Sequence, residues 1–143
     1  MNGDGYASNP IGGVRPDASP TVPFVVESDE SVEQVSVPGE IVRLRKQVIR
    51  VDGRLSLVRK FVEGTDGPPV VLVHGFAQNR YTWHHSIRSF SAWLAGRGFD
   101  VYNLELRGHG RSRSNDHPEH FSDYVVDAEM VANVIGIPAF WIG

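Results

Sequence analysis

Residues His74-Gly75-Phe76-Ala77 directly follow a run of four apolar residues, Val70 to Val73. Such a run predicts a strand that is buried on both faces of a parallel sheet. A glycine after the strand lets the backbone turn sharply, so that the following amides face the space beyond the strand end. Acyl-transfer chemistry needs fixed N–H donors for the negative oxygen of its tetrahedral intermediate. This loop is therefore a candidate for oxyanion stabilisation, with an ordinary turn after a strand as the alternative.

A second glycine-containing loop, Arg107-Gly108-His109-Gly110-Arg111-Ser112, follows the next predicted strand. We expect a structural loop in which the arginines donate hydrogen bonds to backbone carbonyls. Phosphate binding is the weaker alternative, because the P-loop pattern is absent and no helix is expected to begin at the second glycine. Ser112 sits in an incomplete Gly-x-Ser-x-Gly pattern with charged flanks, so we do not expect it to be a nucleophile.

The histidines invite a metal-site hypothesis, which the spacing does not favour. His84 and His85 are adjacent and would point apart on a helix. His117 and His120 have ligand-like spacing, but they lie in a polar loop and lack a third ligand in a fixed geometry. The sequence therefore predicts no metal and no cofactor.

Charge is distributed unevenly along the 143 residues. Residues 1–40 contain seven acidic residues against Arg15 alone, whereas the remainder has a net charge of +3. Residues 1–39 are also rich in Gly, Pro and Ser, which predicts a disordered leader before a domain at 40–143. The basic residues of the following strands lack the density of a nucleic-acid site. Without a signal peptide or membrane span, we expect a cytoplasmic location.

The elements after residue 39 alternate in a regular order. Ile41 to Arg50 and Leu55 to Glu63 predict a β-hairpin, because Asp52-Gly53 between them suits a tight turn. Strand–helix–strand–helix–strand then follows, which specifies a parallel sheet with right-handed crossovers. The fold class is therefore α/β. A strand is predicted at 70–73, followed by a helix at 81–95 with the apolar stripe Trp83, Ile87, Phe90 and Leu94, and by a strand at 99–104. A second helix is predicted at 121–135, with Ser122 and Gly136 as its caps and Tyr124, Ala128, Val131 and Ile135 as its apolar stripe. The last predicted strand covers residues 138–142.

The segment from Pro68 to Gly143 resembles the N-terminal half of the α/β-hydrolase fold, of the esterase, lipase and lysophospholipase type. The resemblance rests on the His74 loop, Trp83, the stretches 90–98 and 100–102, and the Arg107 loop. It implies that the amide of Phe76, helped by that of Ala77, is an oxyanion donor. It also implies that His74, Gly75, Arg107, Gly108, His109 and Gly110 are structural loop residues.

The resemblance makes Gly143 the first glycine of the family's nucleophile elbow, Gly-x-Ser-x-Gly. The family's nucleophile, acid and histidine base would then follow residue 143. We expect the chain to be the N-terminal portion of a serine hydrolase for small ester or lipid-like substrates, inactive by itself. We also expect the apolar strand at 138–142 to form an exposed sheet edge that makes the isolated chain prone to aggregate.

Two alternatives remain open. The first is a non-catalytic half-hydrolase that binds a small ligand or a complementing chain. The second is another chemistry on the same fold, such as that of an acyltransferase, a C–C hydrolase or a dehalogenase. Ala77 replaces a proline that is frequent in epoxide hydrolases and dehalogenases, whereas the aromatic stretch 81–93 is similar to that of lipases. The resemblance therefore favours an acyl ester.

Overall fold

The computed structural model describes residues 20–36, 39–112 and 117–143. Six strands form one mixed sheet in the order β1-β2-β3-β5-β4-β6, and the α/β fold class is confirmed. Two α-helices and one short 3₁₀ helix pack against this sheet. Their bounds are β1 Phe24–Val35, β2 Ile41–Val51, β3 Leu55–Phe61, β4 Pro69–Val73, the 3₁₀ helix Arg80–Trp83, α1 Phe90–Gly96, β5 Asp100–Glu105, α2 Phe121–Ile135 and β6 Phe140–Ile142.

The predicted hairpin is formed by β2 and β3, which pair antiparallel from Val51 opposite Leu55 to Arg45 opposite Phe61. Asp52 and Gly53 both have a positive φ, of 49° and 65°. A two-residue turn with two positive φ angles matches the right-handed twist of the flanking strands. The Asp-Gly pair therefore gives the turn that the sequence predicts.

The leader expected at 1–39 is wrong in its second half, because Phe24–Val35 form strand β1 along β2. The acidic residues of β1 lie beside the basic residues of β2, so opposite charges across the two strands favour their pairing. Their ion pairs are Glu27 with Arg50, Asp29 with Arg45, Glu30 with Lys46 and Glu33 with Arg43, at 2.6 to 3.0 Å. Residues 1–19 lie outside the described part.

β4 pairs in parallel with β5 on one side and with β6 on the other. Apolar side chains cover both faces of the central strands, as expected for a parallel sheet between helices. On the α2 face the core includes Ile49, Leu57, Val71, Tyr102 and Val131. On the α1 face it includes Leu44, Leu72, Ala92, Ala95 and Val101.

The single helix predicted at 81–95 is wrong, because the chain leaves the helical conformation between two shorter helices. His84 ends the 3₁₀ helix in an extended conformation, with φ −138° and ψ 100°. Ser89 then caps α1 by accepting a hydrogen bond from the N–H of Ala92 at 3.1 Å. Ile87 lies between the helices and is 76% exposed. The apolar spacing predicts one helix, whereas the local caps divide this segment into two.

Helix α2 has the predicted bounds, and Gly136 ends it with φ 79°. The predicted N-cap Ser122 is wrong, since the cap position is His120. The carboxylate of Asp123 accepts hydrogen bonds from the N–H groups of Glu119 and His120, at 2.8 and 3.0 Å. These bonds hold the pKa of Asp123 below its usual value. The buried residues of the helix are Asp127, Val131, Val134 and Ile135, whereas Tyr124 and Ala128 of the predicted stripe are only half-buried.

Strand β6 is the last strand of the described sheet, and it pairs with β4 alone. Phe140, Trp141 and Ile142 are 64%, 41% and 36% exposed. The exposed apolar edge predicted for this strand is therefore present. No helix within the described residues has the length and apolar character needed to span a membrane.

Candidate active site

The candidate site lies where the parallel strands β4, β5 and β6 end. In open α/β sheets, ligands bind beyond the carboxyl ends of the strands. The His74 loop follows β4, and the Arg107 loop follows β5. Gly143 follows β6, and a Cβ atom added to it would lie 3.5 Å from the Cβ of Val73. The sheet therefore brings the two predicted loops and Gly143 to one edge.

His74 links the two loops through its imidazole ring, which is almost fully buried. Its Nε2 accepts a hydrogen bond from the N–H of Leu106 at 3.1 Å, and its Nδ1 lies 2.9 Å from the carbonyl oxygen of Gly75. A backbone donor on Nε2 and a carbonyl at Nδ1 fit the neutral tautomer that carries its proton on Nδ1. Burial lowers the pKa of His74, which further favours that neutral form.

The loop after His74 is held at both ends and open in the middle. The N–H of Gly75 donates to Gln78 Oε1 at 2.9 Å, and the N–H of Gln78 donates to the Gly75 carbonyl at 3.2 Å. Among the residues that the structure describes, neither the N–H of Phe76 nor that of Ala77 donates a hydrogen bond. Ala77 has a φ of 59°, which is uncommon for a residue other than glycine. Both amides therefore remain available to a ligand.

His109 lies beside these groups in the second loop. Its ring centroid is 5.0 Å from that of His74 and 6.3 Å from that of Phe76. Its Nδ1 is 3.0 Å from the carbonyl oxygen of Arg107, which ties the ring to its own loop. The Phe76 side chain is 90% exposed, so it presents an apolar surface beside the histidine pair.

Arg107 anchors the second loop to helix α2. Its Nε and Nη2 atoms donate to the two carboxylate oxygens of Asp127, at 2.7 and 2.6 Å. Both residues are buried, and Asp127 is fully so. A bidentate pair fixes both distance and orientation. The structure places Asp127 in the core.

Glu105, the last residue of β5, is a buried carboxylate that the sequence analysis missed. Its Oε2 accepts hydrogen bonds from Arg80 Nη1 at 3.1 Å and from the N–H of Arg111 at 2.9 Å. A Cβ atom on Gly110 would collide with its Oε1. Glu105 therefore holds the loop through contacts distant in sequence, and the only local signal is an acidic residue at the end of an apolar strand.

Ser112 has no free hydroxyl for nucleophilic chemistry. Its Oγ is buried, donates to the carbonyl of Glu105 and accepts from the N–H of Ser56 at 3.0 Å. These two bonds fasten the end of the loop to β3 and to the end of β5. The geometry therefore supports the structural role expected of Ser112.

The histidines of the metal hypothesis do not come together as ligands. In the described ranges, no group of three or more histidine, aspartate or glutamate side chains is placed to hold a metal. His84 instead contacts Lys60 Nζ and Ser89 Oγ through its Nδ1, each at 2.9 Å. Asp116, considered with the 117–120 pair, lies outside the described residues.

Comparison with known proteins agrees with this fold. Residues 70–143 match the model of the "Alpha/beta hydrolase family", which is more than half of the chain. The chain therefore belongs to the α/β-hydrolase family, as the resemblance predicted. Residues of the His74 loop, the Arg107 loop and Gly143 all fall within the matched segment.

The similar proteins include hydrolases of two kinds. The chain is 38% identical to epoxide hydrolase B of Mycobacterium tuberculosis over 89 residues, 59% of this chain and 21% of that protein. It is 36% identical to monoacylglycerol lipase of Mycolicibacterium smegmatis over 66 residues, 46% of this chain and 22% of that protein. The crystal structure of epoxide hydrolase A from Mycobacterium thermoresistibile matches with 30% identity and a TM-score of 0.50, over 81% of this chain and 30% of that one. The chain thus spans about a fifth or less of the first curated relatives.

Proposed function

We propose that this chain is the oxyanion-stabilising portion of a serine hydrolase that cleaves ester bonds in small acyl or lipid-like substrates. The observation that carries the proposal is the pair of unoccupied amides at Phe76 and Ala77, in a loop whose flanking amides are bonded. Such donors stabilise the negative oxygen that develops when a nucleophile attacks an ester carbonyl.

In this proposal Gly143 begins the nucleophile elbow, and a serine two residues later attacks the substrate. The proximity of Gly143 to Val73 supports the assignment, because the end of β6 lies beside the start of the His74 loop. The serine, an acid and a histidine base would follow in the family order, and the amide after the serine would be the second oxyanion donor. These 143 residues contain no complete Gly-x-Ser-x-Gly, so we expect them to be inactive alone.

Epoxide hydrolysis is the second candidate, and the 38% identity to epoxide hydrolase B favours it. Opening an epoxide also develops negative charge on oxygen, so the same amides could serve an intermediate of that reaction. The ester remains our first candidate because Ala77 replaces the proline that is frequent in epoxide hydrolases. The identity to monoacylglycerol lipase supports the ester as well.

The test is to extend the expressed protein to the end of its reading frame and to assay it on p-nitrophenyl butyrate and on styrene oxide. We expect turnover of the ester by the extended protein and none by residues 1–143. Turnover of the oxide alone would replace the ester proposal by the second candidate. Activity on neither substrate would favour the non-catalytic alternative.

A matched pair of variants tests the amide itself. Phe76→Pro removes the N–H, and the φ of Phe76 is not positive. We expect it to lower kcat by about 10²- to 10³-fold, the usual cost of one oxyanion donor. Phe76→Ala keeps the N–H and should retain most of kcat. Equal effects of the two variants would overturn the role of the amide.

A further inference from the structure

A cavity of about 220 Å³ lies on the α1 face of the sheet, apart from the proposed oxyanion loop. It is bounded by β1, β2, β3 and β5 below and by the segment of the 3₁₀ helix above. Its lining includes Lys46, Lys60, Arg80, Tyr81, His84 and Asn103. Lys46 and Lys60 are the only lysines of the sequence, so both lysines of the chain line one cavity.

Lys60 is the cation of this cavity without an acidic partner. Lys46 pairs with Glu30 at 3.0 Å, and Arg80 pairs with Glu105 at 3.1 Å. The Lys60 ammonium, by contrast, has no carboxylate within 4.0 Å among the residues that the structure describes. Its side chain is buried, and its Nζ contacts neutral groups only, which are Gln34 Oε1 at 3.3 Å, His84 Nδ1 at 2.9 Å and Ser91 Oγ at 3.2 Å.

The electrostatics of the cavity agree with a missing negative charge. Burial, with repulsion from Lys46 and Arg80, lowers the pKa of Lys60 to about 7. Burial and the neighbouring Lys60 lower the pKa of His84 to about 4, so the imidazole is neutral near pH 7. With the other two cations already paired, the cavity carries one uncompensated positive charge when Lys60 is protonated. A single negative charge would complete it.

The side chain of Asn103 is a second feature of the cavity that bears on the ligand. It is 2% exposed, and its Nδ2 donates to the carbonyl of Val58 at 3.1 Å, which fixes the orientation of the amide. Its Oδ1 is buried and has no hydrogen-bond partner. Asn103 lines the cavity, and a buried carbonyl oxygen without a donor is costly, so a donor that reaches this oxygen from the cavity would be stabilising. Water could supply that donor, but it would bring no charge to Lys60.

We propose that this cavity binds a small organic monoanion that carries both a carboxylate and a hydroxyl group. The carboxylate meets Lys60, and the hydroxyl donates to Asn103 Oδ1. Arg80 and Tyr81 also line the cavity. A water occupies about 30 Å³ in the liquid, so the volume accommodates an acid of only a few carbon atoms. The ligand class is therefore a short hydroxycarboxylic acid.

The two lysines allow a direct test by NMR of the 143-residue chain labelled with ¹³C at lysine Cε. Only two signals are expected, and Lys46→Met assigns them. Titration with glycolate at constant ionic strength should shift the Lys60 signal saturably and raise its pKa. Acetate, which has the charge but no hydroxyl, should bind at least about tenfold more weakly. Equal affinity for acetate, or tighter binding of inorganic phosphate, would overturn the proposed ligand class.

Two variants distinguish binding in this cavity from non-specific attraction of anions to the protein surface. Lys60→Met removes a buried charge while keeping the length of the side chain, so the variant should fold. Its affinity for glycolate, measured by calorimetry, should be at least about tenfold lower than that of the parent chain. Arg88→Gln removes an exposed charge outside the cavity and should bind as the parent chain does. The site is refuted if Lys60→Met binds glycolate as tightly as the parent chain, or if the parent shows no saturable binding.

Discussion

The imidazole of His74 accepts the N–H of Leu106, and this one bond joins the loop after β4 to the loop after β5. A protonated imidazole has no lone pair for such a bond. Because the folded state lowers the pKa of His74 below its ordinary value of 6.5, the unfolded chain takes up the proton first. Stability must therefore fall as the pH drops below about 6.5.

We expect His74→Asn to weaken this acid dependence. The variant has no imidazole to titrate, so its free energy of unfolding should decline less between pH 8 and about 5, measured by urea denaturation. His84→Asn is the comparison, because the low pKa of His84 also contributes in this range. An unchanged pH dependence in His74→Asn would show that the His74 bond does not couple protonation to folding.

The buried pair of Arg107 and Asp127 is the second point of vulnerability. Asp127→Asn leaves the guanidinium of Arg107 without its bidentate partner in the interior. Breaking a buried pair from one side costs about 3–5 kcal/mol, and we expect a loss in that range by urea denaturation. Asp123→Asn removes a more exposed carboxylate that is 4.0 Å from Arg107, and it should cost far less. Equal losses of unfolding free energy in the two variants would mean that the contact of Asp127 with Arg107 does not contribute to stability.

Gly110 and Gly53 form a natural pair for testing the contact with Glu105. Both have positive φ angles, of 51° and 65°, so alanine is strained by about 1–2 kcal/mol at either position. A Cβ atom at Gly53 would meet nothing within 4 Å, whereas one at Gly110 would collide with the Glu105 carboxylate. We therefore expect Gly110→Ala to lower the melting temperature more than Gly53→Ala. The reverse order would contradict the close approach.

The exposed strand β6 predicts self-association of the isolated chain. An apolar strand at the edge of a sheet offers unpaired backbone groups and side chains to a second molecule. Phe140→Lys places a charge on this edge and should reduce light scattering at a given protein concentration. Val25→Lys changes a similarly exposed apolar residue at the opposite end of the sheet. If both variants scatter equally, β6 is not the site of association.

The sequence predicts the elements whose signals are local. Asp52-Gly53 determines the hairpin, the run 70–73 marks β4, and the 3.6-residue pattern with Gly136 gives α2. The sequence fails where distant contacts decide. Glu105 looks like an ordinary polar residue until Arg80 and Arg111 converge on it. The break before α1 has a local cause instead, the Ser89 cap, which the apolar spacing of residues 81–95 obscures.

Strand β1 was missed for a different reason. None of its side chains is fully buried, and acidic residues separate its valines, which is typical of disordered segments. The compensating charges belong to β2, a separate run of the sequence. The acidic residues of β1 and the basic residues of the hairpin are therefore two halves of one interaction, which no single window along the chain contains.

The same charges restrict where β1 can bind. Side chains of a strand alternate between the two faces of the sheet, so a shift of β1 along β2 by two residues would leave every side chain on its own face. The burial of apolar side chains alone would therefore tolerate such a shift. Glu30 lies opposite Lys46, and such a shift would set it opposite Val48 or Leu44 instead. The spacing of the acidic side chains along β1 therefore selects one register of β1 on β2, the one in which the carboxylates lie beside the basic side chains.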